Sequence, residues 1–211
     1  MRKLWVGGLA VVIVALAGFA PNPKPKTEIA VFSGGCFWGV QAVFEHVRGV
    51  LEAESGYTGG PANTAHYERV SEGDTGNAES VRVVFDPSQV SYDQLLAVFF
   101  TVAHDPTQLN RQGPDVGTQY RSAIWYTTPA QEKAAERYIS FLTRSKTYHD
   151  PIVTTVKPLN GFVAAEAYHQ DYFVRHPTSP YIVINDVPKV KALQRLYPTL
   201  WRDPPVLMAS K

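Results

Sequence analysis

The sequence predicts an α+β fold: a ferredoxin-like βαββαβ core, built as a two-layer α/β sandwich, with a C-terminal helical extension. Three observations predict it. Apolar residues recur with strand-like and helix-like periods in successive segments, and the first six segments fall in the order βαββαβ. Glycine, proline and capping residues punctuate those segments. A chain of 211 residues, 45% hydrophobic and 18% charged, carries enough apolar side chains for one sizeable core and lacks the composition of a disordered protein.

Residues 28–33 (EIAVFS) read as a short buried strand, and Gly34-Gly35 turn the chain into a helix whose apolar face is Phe37, Val40, Phe44 and Val47, ended by Gly49. Residues 50–56 read as a second strand. A long polar stretch, 57–78, follows without the spacing of regular structure, and loops of that length in compact domains are often functional. Residues 80–85 alternate as a third strand that Pro87 breaks, and Ser91 with Gln94 makes a capping box opening a helix through Leu95, Leu96, Phe99 and Phe100. A second polar loop, 104–119, leads to a fourth strand at 121–126. Thr128, Pro129 and Gln131 start the next helix by cap, first-turn proline and box. Beyond it lie a short strand at 152–156, an aromatic helical piece at 168–173 and a terminal helix at 188–197.

Ahead of the domain at 27–211, residues 1–26 are a different kind of sequence. Arg2 and Lys3, an uncharged apolar run at 4–20 and a proline and lysine linker at 21–26 have the layout of an export signal. The run falls short of the ~20 residues that span a bilayer, and Ala15-Leu16-Ala17 offers a cleavage site. A secretory signal is therefore favoured over a retained anchor, and the protein is expected in a periplasmic or extracytoplasmic location, or held at the membrane by 4–20.

Composition excludes several functions. Twenty lysines and arginines against nineteen acidic residues leave +1, with no basic stripe for phosphates, so nucleic acid is not an expected partner. The single cysteine, Cys36, rules out an intrachain disulfide and a CxxC pair. The six histidines show no metal-ligand spacing, so neither a metal nor a bound cofactor is expected. The chain is expected to act as a monomer.

In a ferredoxin-like sheet the first strand lies between the third and the fourth, so Cys36, Glu79 and Tyr120 would meet at one sheet edge, beneath both polar loops. Gly34-Gly35-Cys36-Phe37-Trp38-Gly39 places the thiol at the first turn of a helix, where free N–H groups and the helix dipole favour the thiolate and hence a nucleophile. The alternative is an inert core cysteine. Glu79, among Tyr57, Tyr67 and Tyr120, is either a carboxylic acid kept protonated by apolar surroundings or a solvated strand-end glutamate. Phe37 belongs to the helix's apolar stripe, Trp38 suits an exposed aromatic wall or burial equally, and Asp115 suits a polar site or a turn.

The motifs GGCFWG at 34–39, GYTGG at 56–60, HYERV at 66–70, TGNAE at 75–79, HDPTQLNRQGPDVGTQYRS at 104–122 and EAYHQDYF at 166–173 cover most of the domain. With them the sequence resembles peptide methionine sulfoxide reductases of the A type. The resemblance implies reduction of methionine S-sulfoxide, in oxidised proteins or peptides and possibly free. Cys36 would be the nucleophile, Glu79 the acid, Tyr67 and Tyr120 donors to the sulfoxide oxygen, Asp115 a supporting polar group, and Phe37 and Trp38 the apolar pocket for the substrate methyl. The product on the enzyme would be a Cys36 sulfenic acid. Many family members resolve it with further cysteines; this chain has Ser71 where one often stands, so an external thiol, small or on a thioredoxin-like or glutaredoxin-like protein, would have to reduce it. Asn77 replaces a common histidine, and tuning of activity is expected from it. Two rivals compete: a cysteine hydrolase pairing Cys36 with His169 and oriented by Asn160 or Glu166, and a non-catalytic binding module with an aromatic cleft.

Overall fold

The computed structural model describes Met1 and residues 26–208, so the expected leader at 4–20 lies outside the described residues. In chain order the elements are β1 (Glu28–Gly34), α1 (Phe37–Glu45), β2 (Val50–Thr58), the one-turn α2 (Tyr67–Val70), β3 (Ala78–Phe85), α3 (Tyr92–Val98), β4 (Arg111–Gln112), β5 (Asp115–Val116), β6 (Ser122–Tyr126), α4 (Pro129–Arg144), β7 (Thr155–Pro158), β8 (Val163–Ala164), the one-turn α5 (Tyr172–Arg175) and α6 (Val187–Leu196). The main sheet runs β7-β6-β1-β3-β2-β8. Its inner strands, β6-β1-β3-β2, are antiparallel neighbours and form the expected ferredoxin-like core. β7 adds parallel to β6, and β8 adds antiparallel to β2.

β1 is central because it is apolar on both faces. Phe32 enters the main core, where its ring stacks on Phe44 at 5.1 Å and Phe99 at 4.8 Å. Val31, one residue earlier, points to the opposite face and joins Ala78, Ala123 and Trp125 in a small cluster against which Leu159 and Phe162 pack. Fully burying each such side chain contributes roughly 1.5–3 kcal/mol. At α3 the capping box closes in both directions, with Ser91 Oγ accepting from Gln94 N–H and Gln94 Oε1 accepting from Ser91 N–H. At α4 the Thr128 cap forms, but the box does not. The Gln131 amide instead accepts from Thr127 N–H at 2.9 Å and donates to the Ile29 carbonyl at 2.7 Å, tying α4 to β1.

Other differences from expectation have tertiary causes. α1 ends at Glu45, before Gly49, because the next residues pair with the C-terminal segment: Arg48 N–H donates to the Leu200 carbonyl and Arg202 N–H to the His46 carbonyl. β7 begins at Thr155 because Val153 N–H is taken by the Pro106 carbonyl of the second polar loop. The aromatic piece around 168–173 is broken by Asp171, whose φ of +53° separates a 3₁₀ turn from α5. The polar stretch after β2 contains α2, and β8 is too short to leave a periodic signal.

Gly39 lets α1 lie against the segment leading into α6: a Cβ there would stand 2.0 Å from Asp186 Oδ1 and 2.9 Å from Lys189 Nζ. Helix propensity alone favours alanine by about 1 kcal/mol, whereas overpacking a core costs about 1–3 kcal/mol, and overlap with a buried carboxylate oxygen belongs at the upper end. Gly39→Ala is therefore expected to lower the Tm in calorimetry, by roughly 2–4 °C per kcal/mol lost. An unchanged or raised Tm would contradict this packing.

Candidate active site

The turn from β1 into α1 is dictated by its two glycines. A Cβ on Gly34 would press the rings of Phe99 and His104 at 3.0–3.1 Å, and Gly35 has φ +91° with Gln112 only 2.5 Å from where its Cβ would lie. The next residue, Cys36, is the N-cap of α1. The first N–H groups of a helix have no partner within it. Here Phe37 N–H donates to Glu79 Oε2 at 3.0 Å, and the neighbouring Trp38 N–H acts to lower the Cys36 thiol. One helix end thus serves both the thiol and the carboxyl.

Cys36, Phe37, Trp38, Tyr67, Glu79, Asp115 and Tyr120, all singled out in the sequence, line one cavity of about 220 Å³ together with Tyr181. They meet where β1 ends beside the starts of β3 and β6 and α1 begins, the juncture that the βαββαβ order leads one to expect. A larger cavity of about 750 Å³ lies at the opposite end of β1, among residues such as Glu28, Tyr92 and Arg137, and holds no thiol. Chemistry, not size, distinguishes the smaller one.

Glu79 is 3% exposed, on β3 directly opposite Tyr57 of β2. Burial lifts its carboxyl to about 8, against the pull of the Phe37 N–H, and the charge of Asp115 adds to the rise. At neutral pH it is mostly a neutral acid. Cys36 is 7% exposed. Burial, then the charges of Glu79 and Asp186, push its thiol well above the usual cysteine range; the Trp38 N–H and the Tyr181 hydroxyl act the other way without prevailing. The expected resting thiolate is thereby corrected: the helix end contributes, but desolvation outweighs it, and the resting group is a thiol. Tyr67 and Tyr120 are held protonated, chiefly by burial, and so remain donors.

The aromatic wall is built by the segment 166–173. Trp38 is half-buried, stacks on Tyr172 at 3.7 Å and 6°, meets Tyr181 edge-on at 5.7 Å, and donates its indole N–H to His169 Nδ1 at 3.1 Å. Phe37 is buried between Tyr57 and His169. Glu166 accepts from the Tyr57 hydroxyl and from Tyr67 N–H, both at 2.9 Å, which fixes α2 and therefore Tyr67 over the cavity. Gln170 accepts from Ser55 N–H and donates to the Ser55 carbonyl, locking the segment to β2. Asp115 on β5 accepts from the Tyr181 hydroxyl at 2.5 Å. Tyr181 had no signal in the sequence, because it reaches the cavity only through docking of the C-terminal extension.

Two further residues find their place outside the cavity. Asn77 is buried, accepts from Gly60 N–H and donates to the Pro61 carbonyl and Thr64 Oγ1, so it clasps the polar loop. Ser71 Oγ donates to the Tyr67 carbonyl at the end of α2. The hydrolase constellation does not form. His169 Nδ1 is occupied by Trp38, its Nε2 lies 3.9 Å from Glu166, and Asn160 lines a separate cavity with Arg121 and Trp125.

A buried thiol facing a neutral carboxylic acid across a small aromatic cavity, on a ferredoxin-like α+β frame, defines a cysteine enzyme with its own proton donor. The sequence profile described as peptide methionine sulfoxide reductase matches residues 28–199, and the chain belongs to that family. Peptide methionine sulfoxide reductase MsrA 2 of Mesorhizobium japonicum is 55% identical over 186 residues, 88% of this chain and 95% of that protein. MsrA of Deinococcus radiodurans is 47% identical over 83% of this chain and 85% of its own length. Among solved structures, reduced Mxr1 from Saccharomyces cerevisiae superposes with a TM-score of 0.67 at 30% identity, covering 75% of this chain and 90% of Mxr1. Methionine sulfoxide reductase A of Corynebacterium diphtheriae gives 0.64 at 35% identity, covering 74% and 77%.

The protonation of Glu79 is directly measurable. Infrared difference spectra of wild type against Glu79→Gln are expected to show a protonated carboxyl band at pH 6 that fades as pH rises through about 8. A fully ionised Glu79 at pH 6 would contradict the assignment.

Proposed function

We propose that this enzyme repairs oxidised proteins by reducing the S epimer of methionine sulfoxide, with Cys36 as nucleophile, Glu79 as acid and an external thiol as reductant. The observation that carries the reading is the juxtaposition of a resting thiol and a neutral, buried carboxyl around one cavity. A sulfoxide oxygen departs poorly from sulfur until it is protonated. Glu79, together with the Tyr67 and Tyr120 hydroxyls, faces the side on which that oxygen would sit, while Phe37 and Trp38 offer the apolar surface for the methyl group.

The proton balance fits two neutral groups. Cys36 sulfur bonds to the sulfoxide sulfur as Glu79 gives its proton to the oxygen, and the thiol proton replaces the one Glu79 has lost. The oxygen then passes to Cys36 as the sulfide leaves, so a thiol and a sulfoxide become a sulfenic acid and methionine with no net proton uptake. No charge need be stored in the buried site.

Cys36 is the chain's one cysteine, so the sulfenic acid is reduced from outside. A small thiol or a thioredoxin-like or glutaredoxin-like protein meets that requirement. The charged start, apolar run and cleavage motif of residues 1–20 support an exported enzyme, with membrane anchoring through 4–20 as the variant reading.

Turnover of the separated epimers of a blocked methionine sulfoxide with dithiothreitol tests this reading. The S epimer is expected to yield methionine, Cys36→Ser to abolish the yield, and Glu79→Gln to lower it by about 10²- to 10⁴-fold. Because the acid must hold its proton, the wild-type rate should be highest below pH 8 and fall as pH rises through the Glu79 value of about 8. Equal reduction of the R epimer, or activity surviving in Cys36→Ser, would overturn it.

A further inference from the structure

Cys36 is reached from two sides. Besides the cavity that holds Glu79, a second one of about 180 Å³ opens onto the same thiol and is lined by Gln112, Ile184, Asn185 and Lys189. The residues common to both are Cys36, Asp115 and Tyr181. The hydrogen bond from the Tyr181 hydroxyl to Asp115 is therefore a partition between two compartments that share Cys36. Among the described residues lining the two cavities, Lys189 is the one cation; its ammonium lies 3.2 Å from the buried Asp186 carboxylate and is partly exposed.

We propose that the second cavity is the port through which the reducing thiolate approaches Cys36, on the other side of the Tyr181–Asp115 partition from the sulfoxide site, with Lys189 favouring the anionic sulfur. The inference rests on the reductase reading above. The oxygen on Cys36 comes from a sulfoxide seated in the first cavity, so the new S–O bond points toward Glu79. Displacement at sulfur brings the incoming thiolate in line with, and opposite to, the departing atom. Across the Tyr181–Asp115 partition from the Glu79 cavity, and sharing Cys36 with it, lies the Lys189 cavity. The thiolate forms an S–S bond to Cys36 as the S–O bond breaks, and the oxygen leaves as water with protons from the Glu79 side. A second thiol then attacks the outer sulfur of the mixed disulfide, releasing Cys36 and leaving a disulfide; two thiols are oxidised and one sulfenic acid is reduced. Free thiols ionise near pH 8.5, so only a few per cent are thiolate at pH 7, and a nearby ammonium raises that fraction.

Rapid-mixing kinetics separate the two steps. Reduced enzyme mixed with excess S-sulfoxide and no thiol gives a burst of methionine; adding thiol afterwards gives the recycling rate constant. Ile184 is 70% exposed, and Ile184→Trp fills the port from the surface. The burst in this variant should match wild type within about twofold while recycling falls at least about tenfold. Lys189→Gln, as a second variant, should slow recycling by about threefold to tenfold with the burst retained. Both are measured with 2-mercaptoethanol and with a reduced thioredoxin. Loss with both reductants means that either sulfur source uses the port; loss with the small thiol alone assigns the port to small thiols. Recycling unchanged in both variants, a loss with thioredoxin alone, or burst and recycling falling together would overturn the port. Absence of a burst in wild type would instead remove the reductase reading itself.

Discussion

The site depends on the hydrogen bond from Phe37 N–H to Glu79, made at the first turn of α1. It holds a buried carboxyl beside the N-cap thiol without neutralising it through a cation. A lysine or arginine in that place would have kept Glu79 ionised; a backbone N–H orients it while burial keeps its proton on. For this to occur, α1 must start directly beyond β1, and β3 must lie beside β1. The first condition is met by Gly34-Gly35, and the second by the strand order of the core.

Around that pair the remaining structure acts as a sheath. Trp38, Tyr172 and Tyr181 exclude water on one side, and Glu166 holds α2 so that Tyr67 covers another. Exclusion has a cost as well as a use. It raises the Cys36 thiol along with Glu79, so both groups rest uncharged. In a chemistry that moves one oxygen and one proton between sulfurs, two neutral partners are an advantage, because no bare charge has to be created in a dry cavity. The carboxyl groups nearby, Asp115 and Asp186, are tied to Tyr181 and Lys189 respectively.

Much of this was legible in the sequence, for identifiable reasons. The Gly34-Gly35-Cys36 turn announces itself because only glycine accepts such backbone angles and close neighbours. The meeting of Cys36, Glu79 and Tyr120 follows from the βαββαβ order, since topology alone brings those strand ends together. Tyr181 was not legible: it comes from the docked C-terminal extension, directly before a π-type distortion that no periodicity marks. The charge state of Cys36 was misread because the helix end is a local feature, whereas desolvation is set by side chains distant in sequence. Gln131 shows the same limit, its capping pattern being present and its amide diverted to Ile29 by the sheet beneath.

The central claim is that Cys36 itself takes the oxygen while Glu79 supplies the proton. It is tested most directly by mass spectrometry of reduced enzyme quenched after one turnover of methionine S-sulfoxide without thiol, with the substrate oxygen isotopically labelled. The account requires that the labelled oxygen appear on the peptide containing Cys36, in step with the methionine released. Methionine formed without label on Cys36, or label found on another residue, would contradict it.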